Sequence, residues 1–451
     1  MNTNRFLIAG TSSGCGKTTV TCAVLAALKA RGTDTAAFKC GPDYIDPMFH
    51  RSVLGIPSHN LDGFFCNEET LRGLLGRYSR GTTVIEGVMG FYDGGTGSAY
   101  SLSQVTNTPV IVVIGCNGMS DSIGAVMSGF LNYRKPNNIA GFIFNKLPEK
   151  LIPLAQRICE ELGTEYFGCL PKNEFVFESR HLGLVTAAET ERLREKLDGL
   201  GKLAGEYILT DKLTALQAPA YSQKPAQAVF SFNSRRPVIA AAKDRAFCFI
   251  YPESIELLED MGCRIEWFSP LTDKAVPEAD GLILSGGYPE LYAAELSANT
   301  SMLKSVREHI LSGMPTIAEC GGFMYLHDEL SDGEKSYEMA GVISGKVYKT
   351  ERLQRFGYIT MTANCGGLLC KSGDTLKAHE FHYWESGNCG SGFAAEKTNG
   401  VQYNCCHHGE TLYAGFPHIY LYAEKTAAER FVKKCITYGE KHGQDKTYLP
   451  D

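Results

Sequence analysis

The run Gly10-Thr11-Ser12-Ser13-Gly14-Cys15-Gly16-Lys17-Thr18-Thr19 contains the parts of a phosphate cradle. Glycines let successive backbone N–H groups turn inward around phosphate oxygens, Lys17 brings a mobile positive charge, and the Thr18 hydroxyl suits Mg²⁺. Gly10, Thr11, Gly14, Gly16, Lys17, Thr18 and Thr19 are therefore the expected nucleotide contacts. A second signature lies far downstream, where Pro315-Thr316-Ile317-Ala318-Glu319 runs directly into Cys320-Gly321-Gly322-Phe323. A strand that turns sharply into a helix exposes the side chain at its apex, and a helix N-terminus favours a thiolate over a thiol. Cys320 has the setting of a nucleophile, and the N–H groups of Gly321 and of Gly287, in the Ser285-Gly286-Gly287 loop, form the expected oxyanion hole. A thiol nucleophile needs a base. Two neighbourhoods supply histidines, His379-Glu380-Phe381-His382 and Tyr413-Ala414-Gly415-Phe416-Pro417-His418, and chemistry alone leaves both open.

Acids fall at strand ends. Asp43 and Asp46 lie in a Gly/Pro-marked loop behind Thr35-Ala36-Ala37-Phe38-Lys39, and Glu86 closes Val84-Ile85 before a glycine-rich stretch that carries Asp93. Ligands bind at that edge of an open α/β sheet. Asn145 ends another strand, and its amide can pair with a purine edge by donor and acceptor together.

The elements that must position these groups are legible in outline. Phe6-Leu7-Ile8-Ala9 is a strand ahead of the cradle, 19–30 is helical in pattern, and Pro109-Val110-Ile111-Val112-Val113-Ile114 has the continuous apolar run of a strand buried on both faces. Strand and helix alternate until about residue 184; a charged helical stretch and a Pro-rich segment follow, and Pro237-Val238-Ile239-Ala240 opens a second series of strands. The expected division is 1–190 for the first α/β domain, 191–236 for a linker, 237–440 for the second domain and 441–451 for a tail. In 451 residues the net charge is -6, which gives no basic footprint for nucleic acid or membrane lipid. No apolar run has membrane-spanning length, and no basic leader precedes the first strand, so a cytoplasmic location is expected. Sixteen cysteines without a Cys-x-x-Cys pair suit a reducing compartment. Cys405-Cys406-His407-His408 looks like a metal cluster, but adjacent strand residues point to opposite faces, which disfavours convergence on one ion.

Five residues, rather than the usual four, separate Gly10 from Gly16, which resembles the variant P-loop of dethiobiotin synthetase and its relatives. The stretches 38–47, 84–94, 180–184, 284–290, 319–322 and 379–383, in that order, resemble the cobyrinate a,c-diamide synthase family of the cobalamin pathway over nearly the whole chain. The resemblance implies a dethiobiotin-synthetase-like parallel-sheet ATP domain joined to a class I, triad-type glutamine amidotransferase domain. It implies ATP and Mg²⁺ as cofactors, and cobyrinate and L-glutamine as substrates. The c and then the a acetate carboxylate would be activated as acyl phosphates and displaced by ammonia; a homodimer is compatible with it. Such an intermediate hydrolyses in open water, so a closed site is expected, with ammonia arriving through the protein. Carried over by position, Cys320 is the nucleophile and His418 the base. Thr18, Asp43 and Glu86 are the expected Mg²⁺ ligands, and Tyr44, Ile45 and Asp93 face the corrinoid. The carboxylate that often completes the triad two residues past the histidine is here Tyr420, so the chain resembles the branch that works with a Cys-His dyad; the second histidine frequent in that branch is absent. Ni-sirohydrochlorin and hydrogenobyrinate a,c-diamide synthases share these motifs. A non-enzymatic P-loop ATP switch is the distant alternative, and it has no need of the elbow at Cys320.

Overall fold

A computed structural model describes residues 2–173, 187–222 and 236–442. The 180–184 motif and residues 443–451 of the expected tail lie outside these residues. The chain divides into two compact units, Met1–Lys224 and Pro225–Asp451.

The first unit is built on a sheet of β1 (Asn2–Gly10), β2 (Thr35–Cys40), β3 (Ser58–Leu61), β4 (Thr82–Glu86), β5 (Val110–Gly115), β6 (Ile139–Asn145) and β7 (Glu165–Leu170), with β8 (Gln217–Pro219) added on β1. The order is β3-β2-β4-β1-β5-β6-β7, every neighbouring pair parallel, while β8 runs antiparallel to β1. Phe6, Leu7, Ile8 and Ala9 are fully buried at the centre, as the apolar run predicts. Register brings chemistry to one edge: Ile8 pairs with Glu86, and Glu86 pairs with Lys39. The helix α1 (Lys17–Ala30) follows the cradle with no acid in its first turn, so nothing from its own sequence neutralises the positive end of its dipole.

Residues 191–222, expected to begin the linker, are instead part of this first unit. The helix Ala187–Tyr207 turns Leu197, Leu200 and Ala204 into one buried cluster with Val20, Val24 and Leu28 of α1. Each buried leucine or valine contributes roughly 1.5–3 kcal/mol, which holds a charged-looking helix in place by one face.

In the second unit, β9 (Val238–Ala242), β10 (Phe247–Phe249), β11 (Arg264–Phe268), β12 (Gly281–Leu284), β13 (Gly286–Gly287) and β14 (Thr316–Glu319) come first. A parallel core, β11-β9-β12-β14, continues into Leu412–Gly415, and His407–His408 closes the edge antiparallel. The strand His418–Ile419 lies antiparallel to Thr375–His382 in a separate sheet. The last helix runs to His442, two residues into the expected tail. Among the described residues no helix is long and apolar enough to cross a membrane.

Candidate active site

Two clusters form, one in each unit. In the first, Gly14 and Gly16 take positive φ of 76° and 101°, conformations that L side chains rarely adopt. A Cβ on Gly16 would lie 1.9 Å from Asn145 Nδ2. That amide donates to the Cys15 carbonyl at 3.0 Å, so the Asn145 N–H expected on a purine edge braces the cradle itself. Lys17 Nζ donates to the Ser12 carbonyl at 3.1 Å; burial and the neighbouring Lys39 lower its pKa. Thr18 Oγ1 donates to Glu86 Oε1 at 2.6 Å, so two of the three expected metal ligands meet.

The third, Asp43, approaches the same Lys39 ammonium as Glu86. Its Oδ1 accepts the N–H groups of Ile45 and Asp46 at 2.8 and 3.1 Å, which starts the short helix Ile45–Phe49, and its Oδ2 stands 3.9 Å from Lys39. Lys39 is the residue that sequence reasoning missed. It is buried, and donates to Asp46 Oδ2 at 2.5 Å and to Glu86 Oε1 at 2.9 Å. Burial opposes its charge, but Asp46, Glu86 and Asp43 outweigh burial and hold the ammonium well above its ordinary range. Burial, with Asp46 nearby, pushes Glu86 up to about 7 against the pull of Lys39 and Thr18. His50 Nε2 lies 3.7 Å from Glu86 Oε2, and burial pushes its imidazole down to about 4, so it packs there neutral. A charged residue inside an apolar strand was the available signal for Lys39; nothing in sequence marked His50.

The remaining first-unit residues surround this cluster. Phe91 N–H donates to the Gly10 carbonyl at 2.8 Å, which seats the 87–95 loop against the start of the cradle. Asp93 is exposed on that loop, and its Oδ2 accepts Gly90 N–H at 3.0 Å. Tyr44 is buried, and Ile45 is half-buried at the head of the short helix. Thr11 and Thr19 are half-buried along the cradle.

In the second unit, Cys320 follows β14 with φ 45° and ψ -100° and precedes the helix Gly321–Tyr325, which is the expected strained elbow, but its side chain is buried rather than exposed at the apex. Its N–H donates to the Gly415 carbonyl at 2.8 Å. Since Leu412–Gly415 is the neighbouring parallel strand, three further residues bring His418 beside the thiol. A Cβ on Gly286 would lie 2.4 Å from His418 Cε1, so only glycine lets the imidazole sit there. A Cβ on Gly321 would stand 3.0 Å from the Gly287 nitrogen, which places the two expected oxyanion donors side by side.

His418 lies beside Cys320, and its Nδ1 is 3.8 Å from Glu319 Oε2. Burial alone would lower the imidazole, but Cys320 and Glu319 overcome it and push the pKa up to about 10. This separates the two histidine neighbourhoods. His379 pairs across the strands with His418 and is pushed down to about 3, by burial first and then by His418. His382 shares a hydrogen bond with the Trp384 carbonyl at 2.7 Å and stacks on Phe416. Tyr420 packs edge-on against Tyr251.

The Cys405–His408 run does not converge. Cys406 Sγ donates to Tyr413, His407 Nε2 meets the Asn388 carbonyl and His408 Nε2 accepts Leu369 N–H. Among the described residues no three His, Cys, Asp or Glu side chains are grouped to hold a metal ion.

The matched domains and relatives place the chain in the class of glutamine-hydrolysing carbon–nitrogen ligases. Residues 6–184 match the CobQ/CobB/MinD/ParA nucleotide binding domain, and residues 238–425 match the CobB/CobQ-like glutamine amidotransferase domain. The cobyrinate a,c-diamide synthase of Caldanaerobacter subterraneus subsp. tengcongensis is 38% identical over 97% of this chain and 99% of its own. That of Priestia megaterium is 36% identical over 96% and 98%, and that of Fusobacterium nucleatum 36% over 92% and 97%. A putative GMP synthase subunit from Thermoplasma acidophilum aligns with 47% of this chain and all of its own at a TM-score of 0.33 and 18% identity, too weakly to carry an argument. The chain belongs to the cobyrinate a,c-diamide synthase family.

Proposed function

We propose that this chain uses ATP and L-glutamine to amidate the a and c acetate carboxylates of cobyrinate. The observation that carries the reading is the strained elbow at Cys320 with His418 three residues beyond the Gly415 carbonyl that accepts the Cys320 N–H, in a chain of this family. At that elbow the thiolate attacks the glutamine amide carbon, and the Gly287 and Gly321 N–H groups face the oxygen as it gains charge. The imidazolium of His418 gives its proton to the departing nitrogen as the C–N bond breaks, which releases ammonia and leaves a thioester on Cys320 for water to cleave.

The first-unit residues fit ATP and Mg²⁺. Positive-φ glycines leave room for phosphate oxygens, the Thr18 hydroxyl and Glu86 meet at 2.6 Å, and Glu86 Oε2 is buried without a hydrogen bond. Thr18 and Glu86 would hold the ion, completed by phosphate oxygens and water, with Asp43 the remaining candidate. When bound, the nucleotide supplies the phosphoryl group that activates the substrate carboxylate as an acyl phosphate. Lys17 neutralises phosphate charge, while Lys39 keeps Asp46 and Glu86 together at the sheet edge. Tyr44 and Ile45, at the head of the short helix, and Asp93, on the 87–95 loop, are assigned to the corrinoid. The test is to incubate the protein with cobyrinate, ATP, Mg²⁺ and glutamine and follow the product by mass. Gain of two amides supports the proposal; an unchanged corrinoid, with amidation of Ni-sirohydrochlorin or hydrogenobyrinate instead, overturns the substrate.

A further inference from the structure

The place two residues past His418, where an orienting carboxylate would be sought, holds Tyr420, a buried ring packed on Tyr251. A carboxylate nevertheless reaches the imidazole from the opposite direction in the chain. Glu319, the residue before the nucleophile, pairs with Gly415 in the register of β14 and turns its side chain toward the strand His418–Ile419. Its Oε1 accepts Ile419 N–H at 2.9 Å, which fixes the carboxylate, and its Oε2 then stands 3.8 Å from His418 Nδ1. The glutamate side chain is 13% exposed and the histidine 5%, so the pair is shielded from water that would screen it. With Nδ1 turned to Glu319, Nε2 is the ring nitrogen left to serve the thiol.

We propose that Glu319 is the positioning carboxylate of the glutaminase site: anchored by the Ile419 N–H and supplied by the nucleophile's own strand, it orients the His418 imidazole and stabilises its protonated form. The proposal rests on Cys320 and His418 acting as assigned above. It turns the dyad into a three-membered array whose acid precedes the cysteine in sequence. A carboxylate on Nδ1 fixes which nitrogen faces the thiol and keeps the imidazolium ready as the acid that protonates departing ammonia. At 3.8 Å the pair is an ion pair, and tightening to hydrogen-bond distance is the change expected when glutamine fills the site. The titratable groups facing His418 are Cys320 and Glu319 from the β14 elbow and His379 across the paired strand; burial keeps His379 neutral. Glu319 is the carboxylate among them.

The test is the pH profile of glutaminase kcat/KM for wild type, Glu319→Gln and Glu319→Asp, with ammonia-dependent amidation measured alongside. Glutamine keeps an acceptor for the Ile419 N–H and removes the charge. Glu319→Gln should lose about tenfold or more at pH 8, and the alkaline limb, where the imidazolium loses its proton, should move to lower pH by about one unit. Glu319→Asp should restore the limb, and ammonia-dependent amidation should stay at the wild-type rate in both. An unmoved limb in Glu319→Gln overturns the proposal, whatever the rate, because a merely structural role lowers activity without moving a pKa. Should Glu319→Gln fail to fold, NMR titration of His418 in Cys320→Ala decides, since the thiol is then gone and Glu319 still lies 3.8 Å from the imidazole. A His418 pKa above the usual value of about 6.5 supports the pairing, and one at or below it overturns the pairing. Glutaminase activity retained by Cys320→Ala would instead overturn the nucleophile assignment, an outcome distinct from these.

Discussion

At the scale of single residues, both clusters place charged groups where water does not reach them. Lys39 is held between Asp46 and Glu86, and His418 between Cys320 and Glu319. In such places a partner matters more than it does at a surface, because removing one member leaves the other buried and uncompensated, at a cost of about 3–5 kcal/mol. Glu86 meets both Thr18 and Lys39, so it links the cradle to the acids. Glu86→Gln should therefore lose amidation with either nitrogen source, on the order of a hundredfold or more, while glutamine hydrolysis at Cys320 persists. ATP affinity measured as Mg²⁺ is varied checks the cause: loss of the Mg²⁺ dependence is expected, and a wild-type dependence would remove Glu86 from the metal's sphere.

At the scale of elements, what was legible in sequence was whatever chemistry lies in one contiguous run. The cradle, its strand and α1 read directly, as did the strand, cysteine and helix around Cys320. What was not legible depends on register between distant segments. Lys39 meets Glu86 only because β2 and β4 are neighbours, and Glu319 meets the strand of His418 across 100 residues of chain. The carboxylate proposed to position His418 lies before the cysteine in sequence, where the usual place two residues past the histidine holds Tyr420. The helix Ala187–Tyr207 was hidden for another reason: its charges dominate its composition, and the buried stripe of Leu197, Leu200 and Ala204 is narrow. Asn145 shows the same limit, since a strand-end amide is equally suited to a base and to a backbone carbonyl, and here its N–H reaches the Cys15 carbonyl from β6. Asn145→Ala should loosen the cradle and raise the KM for ATP several-fold to tens-fold, about the effect of 1–2 kcal/mol, with glutaminase activity unchanged. An unaltered KM would show that the loop holds its shape without the brace.

At the scale of the whole molecule, stability and chemistry each divide between the two units. In the first unit His50 is pushed down to about 4, and in the second His327 to about 4 and His379 to about 3, chiefly by burial. Unfolded, each titrates near 6.5, so between those values the unfolded chain binds more protons than the native one. Their contribution to stability is complete above about pH 6.5 and is lost as pH falls through the folded values. Replacing His327 and His379 by glutamine should flatten the acid side of a curve of thermal midpoint against pH; an acid side as steep as in wild type would place the loss in other groups. In the proposed function chemistry divides by nitrogen supply, with ammonia release assigned to Cys320 and His418 and carboxylate activation to the first unit. Cys320→Ala separates them most directly, with amidation of cobyrinate followed by mass in the presence of ATP and Mg²⁺. The account predicts no product with glutamine and a near wild-type rate with ammonium salt; amidation that continues with glutamine, or fails with ammonia in a folded protein, would contradict it.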